Sequence, residues 1–176
     1  MTKPVPAPLL ENLISAAAES VSAIEGCYQV IHLMELPNTE RVNVAVALLY
    51  ASMEQARSAC FLTAHDAQQS LFAALILLRS QVDQLMRSAF FAGPATDDEL
   101  AFYRTNDKLP RRNGDLLGPI SLSRINESHF DWQPVGRIPN TIENSWATLS
   151  GMTHGGRALL NFYIGGGWHW PLSTNR

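Results

Sequence analysis

VNVAVALLYASM at residues 42–53 and LFAALILL at 71–78 are apolar on every side of a helix, and RSQVDQLMR (79–87) follows the second without interruption. A helix that is apolar all round belongs in the middle of a bundle. The continuation sets Arg79, Asp83 and Arg87 four residues apart. At about 100° per residue they share one side with Phe72 and Ile76, so a charged row runs off an apolar face. This pattern predicts an all-α fold: an antiparallel helical bundle of about five long helices, in a single domain spanning 1–176, with a long irregular segment before the last helix.

The flanking sequence follows the same period. Leu9, Leu13, Ala17, Val21, Ile24, Tyr28 and Ile31 recur every three or four residues, which predicts a first helix from Pro8 to Met34, ended by Leu36-Pro37-Asn38. Asn38 or Thr39 caps a second helix reaching about Thr63, and a third runs from Asp66 to Phe91 before Gly93-Pro94. The short link between them makes them antiparallel neighbours. Thr96-Asp97-Asp98-Glu99 starts a short fourth helix, with a capping hydroxyl and acids in the first turn. Residues 107–140 hold prolines 110, 119, 134 and 139 and glycines 114, 118 and 136, with no lasting period. Such a stretch is either a functional lid or a carrier of short helices, of which 120–131 supplies one turn or two. The last helix opens at Thr141, contains Gly151, Gly155 and Gly156, and runs towards Tyr163. Trp168 and Trp170 then dock the tail on the bundle or on a partner.

With 176 residues the chain buries roughly 70% of its unfolded surface. Charged residues are only 16% against a usual ~25%. Sparse charge beside apolar helices points to surface covered by a second copy, a homodimer, or by a partner protein. The net charge of −3 divides into −6 for residues 1–100 (5 basic, 11 acidic) and +3 for 101–176 (8 basic, 5 acidic). The basic half suits phosphate, although an excess of three charges also describes an ordinary solvated surface. Cys27 and Cys60 read as reduced, buried thiols. No signal peptide is read in the proline-rich start, and no apolar run reaches the ~18 residues of a membrane span. The expected location is the cytoplasm, with no membrane partner.

Several polar positions stand out. The row Arg79, Asp83, Arg87 is either a set of ordinary i,i+4 pairs or a recessed site facing a cleft. On the last helix Ser150, His154, Arg157 and Asn161 form a stripe at spacings of four, three and four. His154 is of the residue type suited to acid–base work, although a histidine at a helix end often only caps a carbonyl. Lys108-Leu-Pro-Arg111-Arg112 is a compact basic patch able to grip phosphates. The five histidines show no HxH or HExxH spacing, and no glycine-rich loop follows a strand, so neither a metal nor a nucleotide cofactor is expected.

LLRSQVDQLMRSAFF, a variable segment, and then SWATLSGMTHGG resemble a group of bacterial helical proteins and, more distantly, the HEPN superfamily of helical nucleotide- or RNA-binding domains, many of them nucleases. The matching positions are Arg79, Asp83, Ser150 and His154, within about residues 70–160. The resemblance implies RNA as a partner and metal-independent cleavage in a toxin or antiphage effector. His154 would then activate the ribose hydroxyl or protonate the leaving oxygen, Arg79 would stabilise the phosphate, Asp83 would orient Arg79, and Lys108, Arg111, Arg112 and Arg157 would hold the backbone. HEPN ribonucleases place an arginine four to six residues before the histidine. No arginine precedes His154 at that spacing, whereas Arg124 and His129 have it. A reading of a different kind is a non-catalytic dimeric scaffold or regulatory protein-binding module, in which the charged row is structural.

Overall fold

The computed structural model describes residues 7–154 and is built almost wholly of helices: α1 (Ala7–Leu33), α2 (Glu40–Ala92), α3 (Asp97–Asn106), α4 (Pro119–Phe130) and α5 (Arg137–Thr153). A two-stranded hairpin, β1 (Arg111–Arg112) and β2 (Asp115–Leu116), is inserted between α3 and α4. The all-α antiparallel bundle expected from the sequence is the observed architecture.

The second and third helices of the sequence reading are the two arms of α2. At Asp66 the backbone leaves helical geometry (φ −154°, ψ 61°) and the chain folds back. Serines clamp the arms. Ser52 Oγ donates to the carbonyl of Gln81 (3.0 Å) and Ser88 Oγ to that of Ala45 (2.7 Å). Gln81 Nε2 returns a bond to Ser52 Oγ. On each arm the clamped positions are seven residues apart, two helical turns. The small serine side chains let the helices approach closely, and their hydroxyls are satisfied by backbone carbonyls. Thr39 caps the first arm by accepting from the Val42 N–H. Arg41 serves the far end of the second, donating to the carbonyls of Phe91 (3.0 Å) and Ala95 (2.8 Å) and to Asp97 (2.6 Å). The Phe91 carbonyl is among the acceptors a helix end leaves open, and that of Ala95 belongs to the turn that follows.

α1 runs antiparallel to the first arm, with Tyr28 stacked on Tyr50 (ring centroids 5.5 Å apart) and Glu25 paired with Arg57 (2.9 Å). Two expectations are corrected here. Cys27 is exposed and Cys60 only half-buried, because α1 is covered on one side alone. Nor is the 71–78 stretch central. Ala74 is buried, while Leu75, Ile76, Leu77 and Leu78 each stay partly exposed. The principal core instead lies at the other end of the second arm, where Met86, Phe90 and Phe91 meet Leu100 of α3, Leu122 of α4 and Ile142 of α5.

Residues 107–140 are more ordered than their composition suggests. Asn113 (φ 53°) and Gly114 (φ 88°) both take the left-handed conformation and close a two-residue turn, pairing Arg112 with Asp115 and Arg111 with Leu116. Asn-Gly is the dipeptide that such a turn favours. α4 has twelve residues, three turns where one or two were expected, with Pro119 at its start. Its Asn126 donates to the Met86 carbonyl (2.9 Å). α5 begins at Arg137, not Thr141. Gly136 (φ 79°) supplies the turn, and Pro139 lies in the first helical turn, where no N–H is needed. A Cβ at Gly93 would lie 2.5 Å from Nε2 of His129, the end of an exposed side chain with room to swing aside. Gly155, Gly156, the expected continuation to Tyr163, and Trp168 and Trp170 lie outside the described residues.

No helix among the described residues is long and apolar enough to cross a membrane.

Candidate functional site

Three elements converge on the charged row of the second arm. α5 packs along the arm and lays Trp146 against Arg79, whose guanidinium carbon sits 5.0 Å from the ring centroid. α3 is fixed in rotation by Tyr103, stacked on the buried Phe91 at 4.6 Å. Its neighbour Phe102, about 100° further round the helix, therefore faces another way. The Asn-Gly hairpin projects Arg111 and Leu116 from above. Together they enclose a cleft of about 650 Å³, lined by Arg79, Asp83, Arg87, Phe102, Asp107, Lys108, Arg111, Leu116 and Trp146 among others.

Within the row, Asp83 pairs with Arg87 (2.7 Å), both half-buried. It does not hold Arg79, which corrects the orienting role expected for Asp83. The choice follows helix electrostatics: an acid four residues before a base is the better ordered pair, and an acid four after is the weaker. Burial works against the charge on Arg87, but the attraction of Asp83 and the hydrogen bond Arg87 donates to it, with a further one donated to the Tyr103 oxygen, hold its guanidinium above the ordinary arginine value.

Most basic side chains among the described residues are neutralised. Arg41 pairs with Asp97, Arg57 with Glu25, Arg87 with Asp83, Arg104 with Glu40, Arg112 with Glu99 and Arg124 with Glu143. Arg79, Lys108, Arg111 and Arg137 have no carboxylate within ion-pair distance among those residues, and the first three of them line the cleft. The Nε of Arg79 is buried without a hydrogen-bond partner. With four cations against Asp83 and Asp107, the cleft carries an excess of two positive charges. A half-buried guanidinium without a counter-charge is expensive to keep. An anion entering the cleft would offset that cost. No protein-family model, no curated protein and no solved structure matches the chain.

The residues singled out in the sequence fall into three groups. Arg79, Asp83, Lys108 and Arg111 are brought to one cleft. Arg112 is turned away from it. Its guanidinium makes two 2.7 Å bonds to Glu99, a 3.0 Å bond to the Pro94 carbonyl, and lies over the Phe90 ring. His154 is exposed at the end of α5, with its backbone N–H on the Ser150 carbonyl, eight residues and about 12 Å of helix beyond Trp146, and it does not line the cleft. Arg157 lies outside the described residues. The other spacing match also separates: Arg124 pairs with Glu143 (2.6 Å), while the His129 ring lies by Gly93 and edge-on to Phe130. No group of three or more His, Cys, Asp or Glu side chains able to hold a metal occurs among the described residues.

Phe102, Asp107 and Trp146 were not read as site residues. Trp146 packs beside the core from α5, and nothing in its spacing announces the arginine above it. The Asn113-Gly114 pair was the available signal for the hairpin that carries Arg111.

Proposed function

We propose that the chain is an RNA-binding helical protein whose cleft takes the phosphate backbone, in keeping with the HEPN-like pattern of its sequence. The observation that supports this is the concentration of unpaired cations: Arg79 as a fixed guanidinium at the base, with Lys108 and Arg111 exposed at the rim. Guanidinium groups match phosphate oxygens in geometry and stay charged at any working pH. The test is a double charge reversal, Lys108→Glu with Arg111→Glu, measured by titrating labelled RNA at several salt concentrations. Binding by the wild type should weaken at least ~10-fold in the variant, and the salt slope should fall by about 1.4, the share of two phosphate contacts on a single strand. Equal affinities and slopes would refute it.

Binding needs only the cleft, whereas cleavage needs His154 as well. Incubating the same RNA with wild type and His154→Ala in EDTA separates the two, because only the cleavage reading predicts products from the wild type that the variant fails to make.

One observation favours a second reading, a module that associates with another copy of itself. The partly exposed run Leu75–Leu78 carries no charge, and an apolar surface of this kind is commonly an interface. Sedimentation of the wild type as a dimer, and of Leu75→Glu with Leu78→Glu as a folded monomer, is the expected result; a monomeric wild type at tens of micromolar removes this reading.

A further inference from the structure

We infer that the strand held in the cleft is single-stranded and that one of its bases stacks on the ring of Phe102. This rests on the RNA-binding reading above and specifies the form of RNA. Two features of the cleft carry it. The first is size. A volume of about 650 Å³ is that of a small-ligand pocket, room for a nucleotide or two. The bases of an A-form duplex are stacked on one another and unavailable, whereas those of a single strand can be splayed onto protein side chains.

The second feature is an aromatic face beside the cations that no other ring among the described residues covers. Phe102 lines the cleft and is 43% exposed; Leu116, on the hairpin, is 62% exposed. Neither is part of the buried core, which α3 meets through Leu100 and Tyr103. Phe102 makes no ring contact among the described residues, unlike Tyr28, Phe61, Phe90, Phe91, Tyr103, Phe130 and Trp132. Trp146, the other aromatic in the cleft, has Arg79 laid over it. Its task is to hold that guanidinium, which leaves Phe102 as the platform. Cations that follow the backbone beside an aromatic ring that receives a base are the parts of a single-strand site, and base stacking of this kind is tolerant of sequence.

The experiment uses the full chain and three fluorescent probes of equal length: a single-stranded RNA, the same RNA in a blunt duplex, and a sugar-phosphate strand lacking bases. The single strand should bind the wild type at least ~10-fold more tightly than either of the others. Phe102→Ala should lower its affinity by about 5–100-fold, the worth of one stacked base. It should leave the baseless strand and the salt slope unchanged, and Phe102→Trp should restore binding. A thermal melt on each variant confirms that this exposed position has not altered folding. Equal binding of single strand and duplex, or a Phe102→Ala variant that binds like wild type, overturns the inference while leaving phosphate binding intact. If none of the three probes binds the wild type, the RNA-binding reading itself fails and this inference falls with it.

Discussion

Phe91→Ala is expected to destabilise the protein by about 3–5 kcal/mol, the range for deleting a fully buried phenylalanine. Phe91 has no exposed surface, packs edge-on to Phe90 (5.2 Å), and carries the Tyr103 ring on its other side. Aromatic pairing adds about 0.5–1.5 kcal/mol beyond burial alone. The cavity would open where the second arm meets α3, so collapse around it would require α3 to shift. Since whole domains are stable by only about 5–15 kcal/mol, the variant should populate unfolded chain at modest temperature. Urea unfolding would show the loss as a lowered midpoint with an unchanged slope. A shift worth less than 1 kcal/mol would mean that the core does not lie where these rings meet.

The second large effect concerns Glu99. Its carboxylate completes a capping box with Thr96, accepting the Thr96 N–H at 2.9 Å, and receives two 2.7 Å bonds from Arg112. The hydrogen bond from Arg112, against an opposing contribution from burial and with further help from Thr96, holds the Glu99 carboxyl below its ordinary value. Replacing it with alanine keeps the Thr96 hydroxyl on the residue-99 N–H but removes the return half of the capping box and leaves a half-buried guanidinium without a counter-ion, a loss of about 2–4 kcal/mol at neutral pH. The sign of the pH dependence follows from the lowered value. The unfolded chain takes up the proton first, so the stabilisation is complete above the unfolded value near 4.5 and disappears as pH falls through the folded one. The gap between wild type and Glu99→Ala should therefore shrink below about pH 4.5. A gap constant from pH 7 to pH 3 would show that the charge contributes nothing. Glu99→Gln, which keeps a cap acceptor without the charge, should fall between the two.

Local chemistry made much of the fold legible. The capping sequence at Thr96 and the three-and-four spacing of α1 placed those helices to within about a residue, because both signals act over a single turn. The sequence predicts separate helices for the two arms of α2 with a start at Asp66, and the structure has the reversal between the arms at that residue. What was not legible depended on neighbours. All-round apolarity at 71–78 predicted burial, but α3, α4 and α5 cover the arm beyond residue 79. Pro139 suggested a later start for α5, yet a proline in the first helical turn is harmless. Asn113-Gly114 was a local signal that went unread inside a segment assigned as irregular.

The site divides in the same way. Arg79, Asp83 and Arg87 share a face by periodicity alone, and Lys108 and Arg111 cluster in sequence. That the two sets meet depends on the hairpin, and hence on one turn. The spacing allowed Asp83 either arginine; helix polarity and the Trp146 ring chose. Arg112, next to Arg111, was expected beside it, but strand alternation sends neighbouring side chains to opposite faces, and Arg112 goes to Glu99.

The serine clamps of α2 constrain how the chain can change in length. Residues 45 and 52 are keyed to 88 and 81, so one residue inserted into either arm between the clamps would swing everything past it by about 100°. The charged row would then turn out of the cleft although no residue in it had changed. Insertions at the reversal itself, or between Asp131 and Gly136, avoid that rotation, so length variants that keep the cleft should spare the stretches between the clamps.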